Sequence, residues 1–314
     1  MRRLGLYHIS ISHGWQTLDF GVLLIRQLPA YSVIKLDPAG PNPSIPSKTD
    51  FWSLSVSYDE LSLVCMADQA PTAGVLDHCD DWTAFRVAGT MDFTLTGIVA
   101  RISQVLADAE LGIFVVSTFD TDYILVNHND AALAVTHWRE SGIEVIEPIH
   151  QTARLDFIDM NYELEDVANN NRDGKLWVDD YPTEGDLMIA NLSLQAGTKS
   201  VSQDSMFFTL RSRSTGLALG GIGFKGEHLD GDFGTIECPP MEIGYGLAES
   251  VHGQGFGTEA VAGLIAIARE RGMKQLCAKT DLANMASQKV LARNGFNELS
   301  RSETGIWWGL SFLD

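Results

Sequence analysis

The chain has 314 residues, of which 45% are hydrophobic and 20% charged; this is enough apolar material for a sizeable core in each of two or three domains, and it argues against disorder. A net charge of −19 argues against nucleic acid and anionic membranes as partners, because phosphate surfaces repel such a chain, and it favours small cationic or zwitterionic molecules. Cys65, Cys79, Cys238 and Cys277 have no Cys-x-x-Cys spacing, so the reading is reduced cytoplasmic thiols with neither a zinc site nor a disulfide framework.

Residues 1–20 form an N-terminal extension. It opens on Met-Arg-Arg, but His8, Ser10, Ser12 and His13 interrupt any signal-peptide core, and no apolar run approaches membrane-spanning length. Strand-like pieces follow at Leu23–Ile25, Ser32–Leu36, Trp52–Val56 and Glu60–Cys65, with the Pro-rich stretch Pro38–Pro46 as an inserted loop. Between Asp92 and Glu147 the order is clearer. A strand from Phe93 into Gly97, a helix through Leu106, strands at Ile113–Thr118 and Tyr123–Val126, a helix through Trp138 and a strand at Ile143–Ile146 spell βαββαβ. Gly97, at a strand-to-helix turn, can offer N–H groups to an α-carboxylate, and Asp122 can pair with an ammonium or guanidinium group. Plain turn chemistry accounts for the same residues.

This segment, through Ser117–Ile124 above all, resembles an ACT domain, and a fainter copy precedes it. The resemblance implies tandem ferredoxin-like ACT units at residues 21–80 and 81–150, similar to those of cytosolic amino-acid sensors. It further implies an amino-acid ligand at Thr96, Gly97, Ile98, Thr118, Phe119 and Asp122, or contacts between ACT units that make a homo-oligomer.

Residues 151–314 read as a different module. Asn169-x-Asn171-x-Asp173-Gly174 with Asp180 is expected to be a turn rather than a calcium loop, and no metal is expected. Thr183–Gln195 reads as a helix, with Thr183 and Asp186 as its capping pair and Gly197 after its end. Met206–Ser212 and Leu217–Phe224 form a hairpin about Arg213–Gly216, and the strand Met241–Ala248 continues the meander. It delivers the chain to His252-Gly-Gln-Gly-Phe-Gly257-Thr258. Gly253, Gly255 and Gly257 allow a sharp bend and a close approach to a ligand. A helix over Thr258–Arg271, apolar at Val261, Leu264, Ile265 and Ala268 and stopped by Gly272, then places free N–H donors and about half a positive charge where a diphosphate can bind. A second helix starts at Asn284, carries Ser287 and closes on Asn294-Gly295-Phe296.

Together the two motifs resemble the GCN5-related N-acetyltransferase (GNAT) superfamily, whose motif A is Arg/Gln-x-x-Gly-x-Gly/Ala and whose motif B is Asn-x-x-Ser/Ala before a helix ending in Gly-Phe. The match is closest to the RimJ/RimL-like branch and covers Thr152–Asp314. It implies an α+β chain in which the ACT units precede a GNAT fold with a mixed, mostly antiparallel central sheet. It also implies acetyl-CoA as donor and transfer of the acetyl group to a primary amine by direct attack, with coenzyme A as product. The residues it assigns to the coenzyme are Leu247 through its backbone, His252, Gly253, Gln254, Gly255, Phe256, Gly257, Thr258 and Asn284. Glu242 is the expected base, acting through water on an amine whose pKa is about 10, with Glu249 as second choice; Glu242 equally suits a solvent-facing strand position. Two departures stand out. His252 replaces the usual Arg or Gln, and Leu291 replaces a tyrosine that protonates the departing thiolate, so that Ser287 or water takes that role or the thiolate leaves unprotonated. Trp307 and Trp308 are read as core or wall residues. The alternative function is a non-catalytic amino-acid and acyl-CoA sensor that acts through a protein partner.

Overall fold

The computed structural model describes residues 22–47, 50–89, 91, 96–196, 206–227 and 241–312. The N-terminal extension, Phe93, Gly197 and Cys238 lie outside the described residues. Two compact units divide the chain: Met1–Ile146 with Arg172–Lys175, and Glu147–Asn171 with Leu176–Asp314.

In the first unit the pieces expected at Leu23–Ile25 and Ser32–Leu36 are one strand, β1 (Leu23–Leu36), followed by β2 (Trp52–Val56), β3 (Leu61–Met66) and the long β4 (Val75–Val87). No α-helix occurs among the described residues of this first segment. Then come α1 (Ile98–Asp108), β5 (Ile113–Ser117), β6 (Asp122–Asn127), α2 (Ala131–Glu140) and β7 (Glu144–Ile146). From β4 onward this is a βαββαβ order, with β4 as its first strand. All seven strands share one sheet, β2-β3-β1-β4-β6-β5, with β7 added beside β1. The start of β1 therefore lies between β7, parallel at Leu23↔Glu144 to Ile25↔Ile146, and β4, antiparallel at Leu24↔Val87 and Ile25↔Arg86. An apolar stripe on each helix explains where they dock. Ile102 and Leu106 of α1 and Ala134, Val135 and Trp138 of α2 pack on Leu24, Phe85, Ile124 and Val126 of the sheet. Trp138 stands edge-on to Phe85 at 4.9 Å, and its indole donates to the Ile102 carbonyl at 3.1 Å.

The second unit is built on β8 (His150–Gln151), β9 (Leu155–Asp159), α3 (Leu164–Asn169), α4 (Glu184–Ala196), β10 (Met206–Ser212), β11 (Ala218–Glu227), β12 (Met241–Leu247), α5 (Phe256–Glu270), β13 (Gln275–Thr280), α6 (Met285–Arg293), β14 (Asn297–Ser302) and β15 (Gly305–Ser311). Its sheet runs β14-β15-β13-β12-β11-β10-β9-β8 and is antiparallel except at β12–β13. The expected capping pair starts α4. Thr183 N–H and Oγ1 both donate to Asp186 Oδ2, at 2.9 and 2.7 Å, and Asp186 N–H returns a bond to Thr183 Oγ1 at 3.3 Å. Val261, Leu264, Ile267 and Ala268 of α5 join Phe157, Phe208, Phe224 and Ile243 in one core with Leu291 and Trp308. Trp307 is half-buried, with the Lys279 ammonium 5.6 Å from its ring centre.

Candidate active site

The central feature is a parting of strands. β12 pairs with β13 only at Met241↔Leu276 and Glu242↔Cys277, although both strands run on beyond these residues. The backbone from Ile243 to Leu247 thus has a sheet partner on the β11 side alone, and a gap opens beside it. The hydroxyls of Tyr245 on β12 and Ser287 on α6 meet across this opening at 2.6 Å. Burial raises the Tyr245 phenol above its ordinary pKa, against the pull of its bond to Ser287. Leu291, where the sequence comparison missed a tyrosine, is wholly buried in the core.

β12 ends in the turn that carries the glycine motif. Helix α5 starts at Phe256, two residues ahead of the expected Thr258, because Gly255 adopts φ 84° as its N-cap, a left-handed conformation that suits glycine. No side chain caps this helix start, so the amides of its first turn are open to an anion. Gly253, Gln254 and Gly255 are exposed, and Phe256, Gly257 and Thr258 are partly so. The His252 ring turns back to donate from Nε2 to the Leu247 carbonyl at 2.9 Å, tying the end of β12 to the turn. Asp180 supports the turn from outside the motif, accepting from Ser250 N–H at 2.8 Å and Oγ at 2.6 Å. Partial desolvation opposes ionisation of Asp180, but these bonds and neighbouring backbone donors hold its carboxyl below the usual range.

The other expected residues take varied positions. Asn284 caps its own helix, accepting from Ser287 N–H at 3.0 Å. Glu242 is paired with Lys225 at 2.9 Å, and buried Cys277 behind it is pushed up to about 12, by burial first and by the Glu242 charge second. Glu249 lies in the exposed turn after β12. Between Glu242 and Leu247 one face of the sheet is floored by glycine: Gly221 faces Gly246, and Gly223 faces Gly244, in register, and the side chains of Asp186, Thr183, Phe207 and Lys225 occupy the space that the missing Cβ atoms leave. A Cβ at Gly221 would meet the Asp186 carboxylate, and one at Gly244 would meet the Lys225 side chain. This flat floor has a carboxylate at each end. Asp186 is buried and pushed up to about 6 by desolvation, against its bonds from Thr183. Sequence reasoning missed Tyr245, Asp186 as more than a cap, and Arg154, which reaches the glycine turn from the β8–β9 connection.

In the first unit a cavity of about 290 Å³ is lined by Met91, Gly97–Ala100 and Ser117–Asp122. It includes Gly97, Ile98, Thr118, Phe119 and Asp122 from the expected set, whereas Thr96 stands beside it without lining it. Gly97 is the left-handed N-cap of α1, with neither a side-chain cap nor an acid in the first turn. Asp122 is buried, and Phe119 is 78% exposed at the rim.

The divided strands, the uncapped glycine turn and the α6 cap define an acyltransferase fold. Residues 161–297 match the acetyltransferase (GNAT) domain family, and residues 78–137 match the ACT domain family; a third family, of N-terminal domains, matches residues 29–73. The second unit is a GNAT domain, and the chain is an N-acetyltransferase with acetyl-CoA as its donor and an ACT domain ahead of its catalytic domain. Among solved structures, a protein of Agrobacterium tumefaciens is 30% identical, with 42% of this chain and 96% of that one covered at a TM-score of 0.38. The ribosomal L7/L12 alpha-N-protein acetyltransferase RimL is 18% identical, with 53% and 95% covered at 0.37. A GNAT-family acetyltransferase of Bacillus anthracis is 16% identical, with 52% and 97% covered at 0.35. No curated protein matches the chain. No helix among the described residues is long and apolar enough to cross a membrane.

Proposed function

We propose that the second unit acetylates a primary amine of a small cationic or zwitterionic molecule, and that the first unit binds a free amino acid that regulates the transfer or is itself the acceptor. The observation that supports this reading most is the gap beside Ile243–Leu247, closed at one end by the uncapped start of α5 and bridged by Tyr245 and Ser287. Acetyl-CoA supplies an acyl group already activated as a thioester. The amides of Gly253–Thr258 hold its diphosphate, with His252 fixing the turn to β12; the free backbone edge up to Leu247 receives the pantetheine arm; and Asn284 holds the start of α6 against it. A backbone N–H on that edge polarises the acyl carbonyl.

Glu242 stands on the glycine-floored face and takes the amine proton through water. Ser287, oriented by Tyr245, provides the hydroxyl beside the departing sulfur, and a thiol pKa of about 8.5 makes only modest demands on that donor. The net charge of −19 draws cations toward the protein. In the first unit, the open amides of α1 suit an α-carboxylate, and Asp122 suits the ammonium group. Homo-oligomer contacts through the ACT domain and a cytoplasmic location complete the reading.

The test is free-thiol release from acetyl-CoA with each common amino acid and polyamine, alone and in pairs. Release with one amine identifies the acceptor class. A second amino acid that changes the rate without being acetylated assigns the first-unit cavity to regulation. Gly255→Glu strains the left-handed backbone of the glycine turn and adds a carboxylate to it, and it is expected to abolish coenzyme binding; unchanged acetyl-CoA affinity in this variant would sink the diphosphate assignment.

A further inference from the structure

Glu259 lies in the first turn of α5, where the helix start by itself stabilises an acid but where a free carboxylate would repel a bound diphosphate. Its carboxylate is turned away from the helix start. Oε1 accepts from Thr152 Oγ1 and Arg154 N–H, each at 2.7 Å, and Oε2 accepts from Arg154 Nε at 2.6 Å. The same guanidinium lies 4.5 Å from the Phe256 ring centre and donates from Nη1 to the Gln254 carbonyl at 3.0 Å. Its Nη2 is 3.4 Å from where a Cβ on Gly255 would stand. Arg154 thus touches the residues on both sides of Gly255 as well as the acid of the first turn.

A planar trans peptide points its C=O and N–H to opposite sides. With the Gln254 carbonyl held on Arg154, the Gly255 N–H is directed away from the guanidinium, on the other side of the turn. We propose that Arg154 is a positioning residue for the coenzyme diphosphate: it fixes the Gln254–Gly255 peptide so that the Gly255 N–H faces the anion, neutralises Glu259, and adds a positive charge beside the turn. Because arginine presents a rigid fork of donors, one side chain serves both the carboxylate and the carbonyl; lysine carries the charge without that geometry. This role rests on the diphosphate reading of the glycine turn given above.

The experiment is calorimetric titration of the full chain with coenzyme A, and with pantetheine, which ends before the diphosphate, by competition. Arg154→Ala is expected to weaken coenzyme A about tenfold, the loss of one charge-assisted contact set, and to leave pantetheine unchanged. Arg154→Lys is expected to weaken coenzyme A several-fold, again sparing pantetheine, and it decides the matter by the same comparison if Arg154→Ala does not fold. Equal losses on both ligands, or none on either, overturn the proposal, as does full affinity in Arg154→Lys. Gly255→Glu keeps the two readings apart. If it abolishes coenzyme A binding while Arg154→Ala is inert, only the role of Arg154 falls; if it too is inert, the diphosphate reading falls with it.

Discussion

Glu242 and Asp186 occupy opposite ends of the glycine floor and differ in what surrounds them. Glu242 is partly buried and pairs with Lys225. Its replacement by Gln is expected to lower turnover by about 10²-fold or more while leaving acetyl-CoA affinity nearly intact; an unchanged rate across pH would clear Glu242 of the base role. Asp186 is sealed under α4, and its pKa of about 6 lies above the ordinary aspartate value of 3.8. A carboxyl raised on folding contributes stability that is complete below about pH 4 and is lost as pH rises through about 6. Asp186→Asn has no such titration. The stability of the wild type relative to Asp186→Asn should therefore fall by about 3 kcal/mol between pH 4 and pH 7, as read from urea unfolding at a series of pH values. A difference that stays flat over that range would show that Asp186 ionises without penalty.

Among the elements, β10 carries an unusual burden: Arg211 is wholly buried on it and meets the equally buried Glu163 at 2.6 Å. The same guanidinium donates to the carbonyls of Leu176 at 3.2 Å and Gly216 at 2.9 Å, so one side chain gathers three segments onto the strand. Glu163→Ala leaves that charge without its carboxylate and is expected to cost about 3–5 kcal/mol in chemical denaturation; a loss below about 1 kcal/mol would mean that the backbone carbonyls suffice. Neither residue stands out in the sequence, because the pair is separated by 48 positions and no local pattern joins them. The same reason hides Arg154, about a hundred residues from the turn it supports. What was legible was local. The glycine turn, the apolar face of α5, the capping pair at Thr183 and Asp186, and the Asn284 helix start each depend on neighbours within a few positions. The long strand β1 was read as two pieces because Gln27, Pro29 and Ala30 interrupt the apolar pattern, yet register shifts against β4 between Arg26 and Ala30 absorb that interruption without ending the strand.

At the scale of the molecule, the two units have separate apolar cores, one around Phe157, Phe208 and Leu264 and another around Phe85, Ile102 and Trp138. Coenzyme A binding in the second unit should stabilise that unit by about 2.7 kcal/mol at about a hundredfold excess over its dissociation constant. Differential scanning calorimetry is expected to show one transition moving up with coenzyme A while the other stays in place; a single transition that shifts as a whole would mean that the cores unfold together. The seven-stranded sheet has a further consequence, for synthesis rather than for stability. The start of β1 is among the first described segments to be made, yet its neighbour β7 follows about 120 residues later. At ordinary translation speeds of roughly 5–20 residues per second, that strand waits on the order of ten seconds with one edge exposed, long enough for chaperone capture to compete with folding.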